Sequence, residues 1–431
     1  MTTTSRTLRL VLLVVLLSGL LVTSCGREET GGVSRRVMIV GIDGLEWDVM
    51  APLLEQGRLP TFARLIREGT WGELISLEVL ESPVIWTSIA TGKTPEKHGI
   101  TGFAKRGRAG RNVPMTSNVR RVDAVWDILG DRGMTVGIVG WLATWPATPV
   151  NGYMVTSHFN YGSDSEGHLP EDATYPAGLA DSLRPFLLRQ QDIPDGSAAA
   201  FVRGDVPETE AARGRFDALK VSLASDETTR QAALHLGTDL PTDFTAVYFR
   251  GVDGPSHFFW VDMLPDSGPD VPPEEVEAFG DVVPLYYEYM DGVLAEMLRL
   301  ADDETTVIVT SDHGHSGPKP RGDDYAWGIA MHDRTGFICL WGKDVVSGGQ
   351  LADPSVLDVT PTVLALYGLP VAEDMDGRVL EEALEPAYLE SHPVTTVDTY
   401  ETGDRAAGEE PIESSVDEEI RERLRSLGYI E

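Results

Sequence analysis

The chain has 431 residues, with 35 Lys and Arg against 68 Asp and Glu, for a formal net charge of −33. So acidic a chain argues against a nucleic-acid scaffold, because a phosphate backbone is held by basic groups that release its counterions. With 42% hydrophobic and 24% charged residues, disorder throughout is excluded, and the two cysteines, Cys25 and Cys339, make no disulfide framework.

Arg6 and Arg9 precede an apolar run from Leu10 to Leu17 that continues to Val22. It is short for a bilayer span and has the basic-then-apolar order of a secretory signal. The segment Leu21-Val22-Thr23-Ser24-Cys25 then resembles the lipobox of bacterial lipoproteins. That resemblance implies a signal peptide over residues 1–24, lipidation of Cys25 and a tether over residues 25–35. The product would be a membrane-anchored, extracytoplasmic protein of the bacterial cell envelope, since acyl chains on Cys25 bury enough methylene groups to hold a soluble domain at a membrane. A plain signal peptide or a short membrane anchor is the alternative.

Val37-Met38-Ile39-Val40 reads as a buried strand running into the loop Gly41-Ile42-Asp43-Gly44. The same grammar recurs at Met134 to Val139, Phe244 to Phe249 and Thr305 to Thr310. Helical patterns lie between, at Leu59 to Arg67, Asp123 to Leu129, Glu208 to Leu236 and Val282 to Leu300. This alternation predicts an α/β fold, a mostly parallel sheet with helices on both faces and ligands beyond its strand C-termini. Residues 158–215 break the periodicity and read as an inserted cap region that shapes substrate choice. Ser82 and Pro83 make a good N-cap and first-turn pair for a short helix ending at Gly92, where a phosphate would meet free N–H groups. Val356 to Leu366 is helical, residues 386–431 form an acidic tail, and Val416, Ile420, Leu424 and Leu427 form one stripe of a terminal helix, closed by Gly428, that docks on the core.

Asp43, Asp253, His257, Asp312, His313 and His332 all fall in or beside strand-end loops. Each alone is an ordinary turn former or packing group. Together, three carboxylates and three imidazoles at one sheet edge suit one or two divalent cations of the zinc or manganese kind.

These places, with the Ser82 to Ile100 block, Arg250-Gly251-Val252-Asp253-Gly254-Pro255-Ser256-His257, Thr310-Ser311-Asp312-His313-Gly314 and His332, occur in the order of the type I phosphodiesterase/nucleotide pyrophosphatase branch of the alkaline phosphatase superfamily, which the sequence resembles from about residue 36 to 380. Leu357 to Thr362 and Asp374 to Leu380 add that family's C-terminal signature. The resemblance implies an alkaline phosphatase-like catalytic domain over residues 36–385. It implies two divalent ions, zinc with manganese the alternative, one on Asp253, His257 and His332 and the other on Asp43, Asp312, His313 and the nucleophile's hydroxyl. It places the catalytic nucleophile at Ser82, with Thr87 the competitor. Phe103 stands where the nucleotide pyrophosphatases carry an Asn against a phosphate oxygen, which puts nucleotide specificity in doubt. Lys93, Lys105 and Arg250 are further candidates for substrate contact. His315 is a weaker candidate ligand, and His158, His168 and His235 read as exposed or packing residues.

The function so implied is hydrolysis of a phosphodiester or pyrophosphate bond, through a phosphoseryl intermediate, in a small molecule or lipid headgroup; no nucleic-acid polymer is expected. Alternatives are a phosphomonoesterase, a phosphoglycerol or phosphoethanolamine transferase and, from another class, a noncatalytic surface binding lipoprotein. A sulfatase is disfavoured because Ser82 is not in a Cys/Ser-x-Pro-x-Arg motif. Oligomeric state is left open.

Overall fold

Val37 and Ile39 point into one apolar layer and Met38, Val40 and Ile42 into another, so the first strand, β1 (Arg36–Ile42), is buried on both faces. That is why its sequence is a continuous apolar run rather than an alternating one. The computed structural model describes residues 35–107, 110–161, 169–267, 270–317, 331–403 and 407–426. The expected signal, Cys25, His168, Leu427 and Gly428 lie outside the described residues.

The other strands of the main sheet are β2 (Thr70–Ile75), β3 (Val136–Val139), β4 (Gly152–Val155), β5 (Thr174–Tyr175), β6 (Phe244–Phe249), β7 (Thr305–Thr310), β8 (Thr335–Gly342) and β9 (Gly349–Gln350). They lie in the order β9-β2-β8-β7-β1-β6-β3-β4-β5. The run β7-β1-β6-β3-β4 is parallel, while β8 is antiparallel to β2 and β7, and β5 to β4. The register sets Ile42 beside Phe249 and Gly41 beside Thr310. Three neighbouring strands therefore end together, and the next residues of each form one rim.

The helices used below are α1 (Trp47–Glu55), α2 (Pro60–Glu68), α3 (Ser82–Thr91), α4 (Val125–Gly130), α5 (Glu210–Asp239), α6 (Asp253–Met263), α7 (Val282–Met297), α8 (Val359–Leu366) and α9 (Asp417–Ser426). The layer with Met38 and Val40 holds α1, α2, α5, α6 and α7; that with Val37 and Ile39 holds α3, α4 and α8. The α/β architecture expected from the alternation is present.

Three local expectations shift. The N-cap of α3 is Glu81 rather than Ser82, because the Val84 and Ile85 N–H groups donate to the Glu81 carbonyl at 2.8 and 3.2 Å. Ser82 is thus the first helical residue, and Pro83, lacking an N–H, sits at the second without cost. Pro83 and the Val84 bond leave fewer free N–H groups there than expected. Second, the expected insertion overlaps α5, whose start is capped by Thr209 Oγ1 accepting from the Ala212 N–H at 3.1 Å. Third, the segment is not wholly irregular: it supplies β5, and Leu183, Ile193 and Ala198 bury themselves in the α5 layer. The terminal helix forms as expected, and Arg421 donates from it to the Asn112 carbonyl at 3.0 Å.

Candidate active site

Asp43 follows β1, Asp253 opens α6 just past β6, and Asp312 and His313 follow β7. His257 lies one helical turn along α6 from Asp253. His315 and His332 face each other on a short antiparallel ribbon, Gly314–Ser316 against Met331–Asp333. Gly44 has φ +77, and a Cβ there would run into the His315 ring and the Asp253 backbone, so glycine is what lets the β1 loop close on the other two.

The donors form two clusters, each with its ligand-type atoms within 4.8 Å of one another: Asp253, His257, His315 and His332, and Asp43, Asp312 and His313. In the first, the Nε2 atoms of His257, His315 and His332 stand 3.0, 3.2 and 3.3 Å from Asp253 Oδ1. In the second, His313 Nε2 lies 3.4 Å from Asp43 Oδ1 and from Asp312 Oδ2, and 3.5 Å from Ser82 Oγ. The rings of His313 and His332 stack at 3.6 Å, joining the clusters.

Backbone carbonyls fix the tautomers. Nδ1 of His313, His315 and His332 faces the carbonyls of Gly314, Gly44 and Leu80 at 3.0, 3.1 and 2.7 Å. A carbonyl only accepts, so each Nδ1 carries a hydrogen and each Nε2 is left facing the centre, the arrangement that orients metal-binding imidazoles. On the carboxylate side, Asp43 Oδ2 accepts from Trp86 Nε1 at 3.2 Å and from the Tyr248 hydroxyl at 2.7 Å. Trp86 reaches it because Gly41 has no Cβ to obstruct the indole, whose atoms would sit 2.6 Å away from one. Asp312 Oδ1 accepts the Gly44 N–H at 3.3 Å. Asp43 Oδ1 and Asp312 Oδ2 are buried without a hydrogen-bond partner among the described residues.

Burial raises the Asp43 carboxyl well above its usual range, and the Asp312 and Asp253 charges add to the rise. Burial also carries Asp312 up to about 7. For Asp253 burial acts upward too, but His257, His315 and His332 outweigh it and hold the carboxyl well below the ordinary range. His313 is held well below its usual value by burial and by His332, and His315 is lowered by burial to about 4. Inward-facing Nε2 atoms beside carboxylate oxygens that have no other partner among the described residues make an N/O donor set that suits zinc or manganese.

The structure brings Ser82 and all six expected Asp and His ligands together. Thr87 is turned away, its hydroxyl donating to the Pro83 carbonyl at 2.7 Å within α3. Phe103 and Arg250 line the cleft over Ser82. Lys93 and Lys105 do not. Lys93 is buried between Asp374 and Glu401, at 2.8 and 3.0 Å, and Lys105 donates to the Glu409 carbonyl at 2.5 Å; both cations are spent on the acidic C-terminal segment. Of the two readings of His158, exposed or packing, the structure has the second: it is buried against Trp145, and it also lines the cleft. Sequence reasoning underrated His315 and missed Tyr248 and Trp86 as holders of Asp43. His315 sits two residues beyond His313 on a ribbon, a period-2 signal that could have raised it; nothing local marked Tyr248.

The model of the type I phosphodiesterase/nucleotide pyrophosphatase family matches residues 37–327, a span holding Ser82 and every clustered Asp and His except His332. The chain belongs to this family. It is a family of phosphoric ester hydrolases, and its fold here is α/β, a nine-stranded, mostly parallel sheet with helices. Among solved structures, the family member described here is similar to a phosphonoacetate hydrolase from Sinorhizobium meliloti 1021 in complex with phosphonoformate, at 20% identity, with 67% of this chain and 59% of that chain covered and a TM-score of 0.40. The chain thus spans less than two thirds of that hydrolase. A 2-O GAG sulfatase is similar at 11% identity, with 81% and 73% covered and a TM-score of 0.50. A mutant of the alkaline phosphatase PafA is similar at 14% identity, with 82% and 100% covered and a TM-score of 0.48. No curated protein sequence matches the chain.

Proposed function

We propose that this chain is a metal-dependent hydrolase of phosphodiester or pyrophosphate bonds in a small molecule or lipid headgroup, with Ser82 as its nucleophile. The observation that carries this reading is the convergence of two buried Asp/His clusters beside one serine hydroxyl at the start of α3.

One divalent ion, zinc or manganese, would be held by Asp253, His257 and His332 with His315 beside them, and one by Asp43, Asp312, His313 and Ser82 Oγ; bound there, the ions supply Lewis acidity to the phosphoryl oxygens and lower the serine hydroxyl's pKa. Ser82 Oγ gives up its proton and bonds to phosphorus as the bond to the departing ester oxygen breaks, and that oxygen leaves with a proton as the alcohol. Water then cleaves the phosphoseryl ester and restores the hydroxyl. The start of α3 directs the positive end of its dipole toward the negative charge on the phosphoryl oxygens. Trp86 and Tyr248 keep Asp43 turned so that Oδ1 faces the centre. The lipobox-like segment supports the further proposal that Cys25 anchors the enzyme on the extracytoplasmic side of a bacterial envelope.

The test is a parallel assay on bis-nitrophenyl phosphate, nitrophenyl phosphate and nitrophenyl sulfate, with chelation and metal add-back. Diesterase activity that chelation removes is expected. Monoester preference would favour the phosphomonoesterase, and activity indifferent to chelation would overturn the metal-dependent reading. Ser82→Ala should keep most bound metal and lose most turnover; wild-type turnover would reject Ser82.

A further inference from the structure

The cleft over Ser82 changes character along its length. At the inner end stand Asp43, Ser82, Asp253 and Arg250. Beyond them the walls are Phe103, Met115, Leu142, Ala143 and, from the terminal helix, Ile420 and Leu424. Helix α9 lies beyond the family match, which ends at residue 327. Its position is held by polar ties on its other sides. Arg421 binds the Asn112 carbonyl, and the Asn118 side chain donates to the Glu410 carbonyl at 2.9 Å just ahead of the helix. Val416 is buried, and Leu424 is 8% exposed.

His158 sets a polar ring among these walls. It stacks on Trp145 with centroids 4.6 Å apart, and neither ring nitrogen has a hydrogen-bond partner among the described residues. Burial pushes its pKa down to about 3, so it is neutral at ordinary pH. Apart from Asp43, Asp253 and Arg250, none of the described residues that line the cleft is charged, so a charged group placed among the apolar walls would give up water at a cost of roughly several kcal/mol. An alkyl or aryl group would gain from the same walls.

We propose that α9 completes a selectivity pocket for phosphoesters whose second ester group is uncharged and apolar, with Ile420 and Leu424 as its specificity-determining contacts and His158 open to a single hydrogen-bonding atom. This rests on the hydrolase reading for its orientation, because the phosphoryl group must lie at Ser82 for the ester group to lie under α9.

The experiment uses the metal-loaded full chain and alkyl 4-nitrophenyl phosphate diesters from methyl to octyl. Wild-type kcat/KM should rise roughly threefold to fourfold per added methylene until the cleft is full, the gain for burying a CH₂. The Ile420→Ala/Leu424→Ala double variant should lose most of the octyl-over-methyl ratio, and Leu424→Phe should move the optimum to shorter chains. Methyl and octyl esters turned over equally by wild type would overturn the pocket while leaving the hydrolase standing. Calorimetric binding of octylphosphonate against methylphosphonate to the Ser82→Ala protein separates the two readings: should no ester be hydrolysed, an octyl preference that the double variant loses still supports the pocket, and equal binding of both phosphonates overturns it.

Discussion

Asp226 offers a stringent test of how the β6 rim is held. It lies on α5, fully enclosed, and its Oδ2 accepts from the Tyr286 hydroxyl at 2.7 Å and from the Gly251 N–H at 3.1 Å. Gly251 is two residues before Asp253, so this carboxyl braces the loop that carries a candidate ligand. Burial pushes Asp226 up to about 7, against the downward pull of those two hydrogen bonds. The unfolded chain ionises near 3.8. Between these values the folded state carries the extra proton, so the group's contribution to stability falls as pH rises from about 4 to about 7, and is level outside that window. Each unit is worth about 1.4 kcal/mol, and the full window on the order of 4 kcal/mol. In Asp226→Asn the amide oxygen can occupy the place of Oδ2 and keep both hydrogen bonds without ionising. Urea denaturation of the chelated proteins at pH 5, 6, 7 and 8 isolates the effect, because every other titration is common to both. The variant should gain about 3 kcal/mol on wild type between pH 5 and 8. Parallel stability curves would refute a buried, proton-holding Asp226.

Three further outcomes are expected. Trp86→Phe removes one of the two donors to Asp43 Oδ2, and divalent-cation affinity should fall about tenfold or more by calorimetry; an unchanged affinity would show that Tyr248 alone suffices. His315→Ala should reduce cation affinity or stoichiometry, read by metal analysis after dialysis, and wild-type values for both would make the imidazole a bystander. Lys93→Met leaves Asp374 and Glu401 without their buried cation, so stability should drop on the order of 2 kcal/mol, less than for a wholly buried pair because both carboxylates are partly exposed. Its KM should stay at the wild-type value, and a raised KM would return Lys93 to the substrate site.

The strands that build the rim were readable because a strand buried on both faces has to be written in apolar residues, and the Asp and His that follow β1, β6 and β7 stand out against such runs. The start of α3 was legible in Ser82-Pro83 and Gly92, although the cap itself fell one residue earlier, a difference decided by the Glu81 carbonyl, while Ser82 as candidate nucleophile came only from the family resemblance. What escaped the sequence was partnership across long separations. Lys93 looks like a free cation until the chain returns some three hundred residues later with Asp374 and Glu401. Tyr248 is an ordinary strand residue until β6 pairs with β1 and sets its hydroxyl under Asp43. His158 looked like one of several loose histidines because nothing near it in sequence announces Trp145 as its stacking partner. The terminal stripe was recognised as a docking face, but what it docks over depends on the hairpin around Asn112, which carries no helical or strand periodicity long enough to place it.

The wide spacing of the candidate ligand loops along the chain has a consequence for how the proposed ions would be acquired. A growing polypeptide offers only an isolated Asp43 until β6 has been laid down, and His332 arrives last, so no partial product can hold a cation with the grip of the finished rim. Loading must follow folding. Until it does, burial of the Asp43 and Asp312 carboxyls side by side opposes the compact form, so a cation bound there would raise the melting temperature in proportion to the logarithm of its concentration once in excess. Scarcity of the ion would therefore cost the cell standing protein as well as turnover.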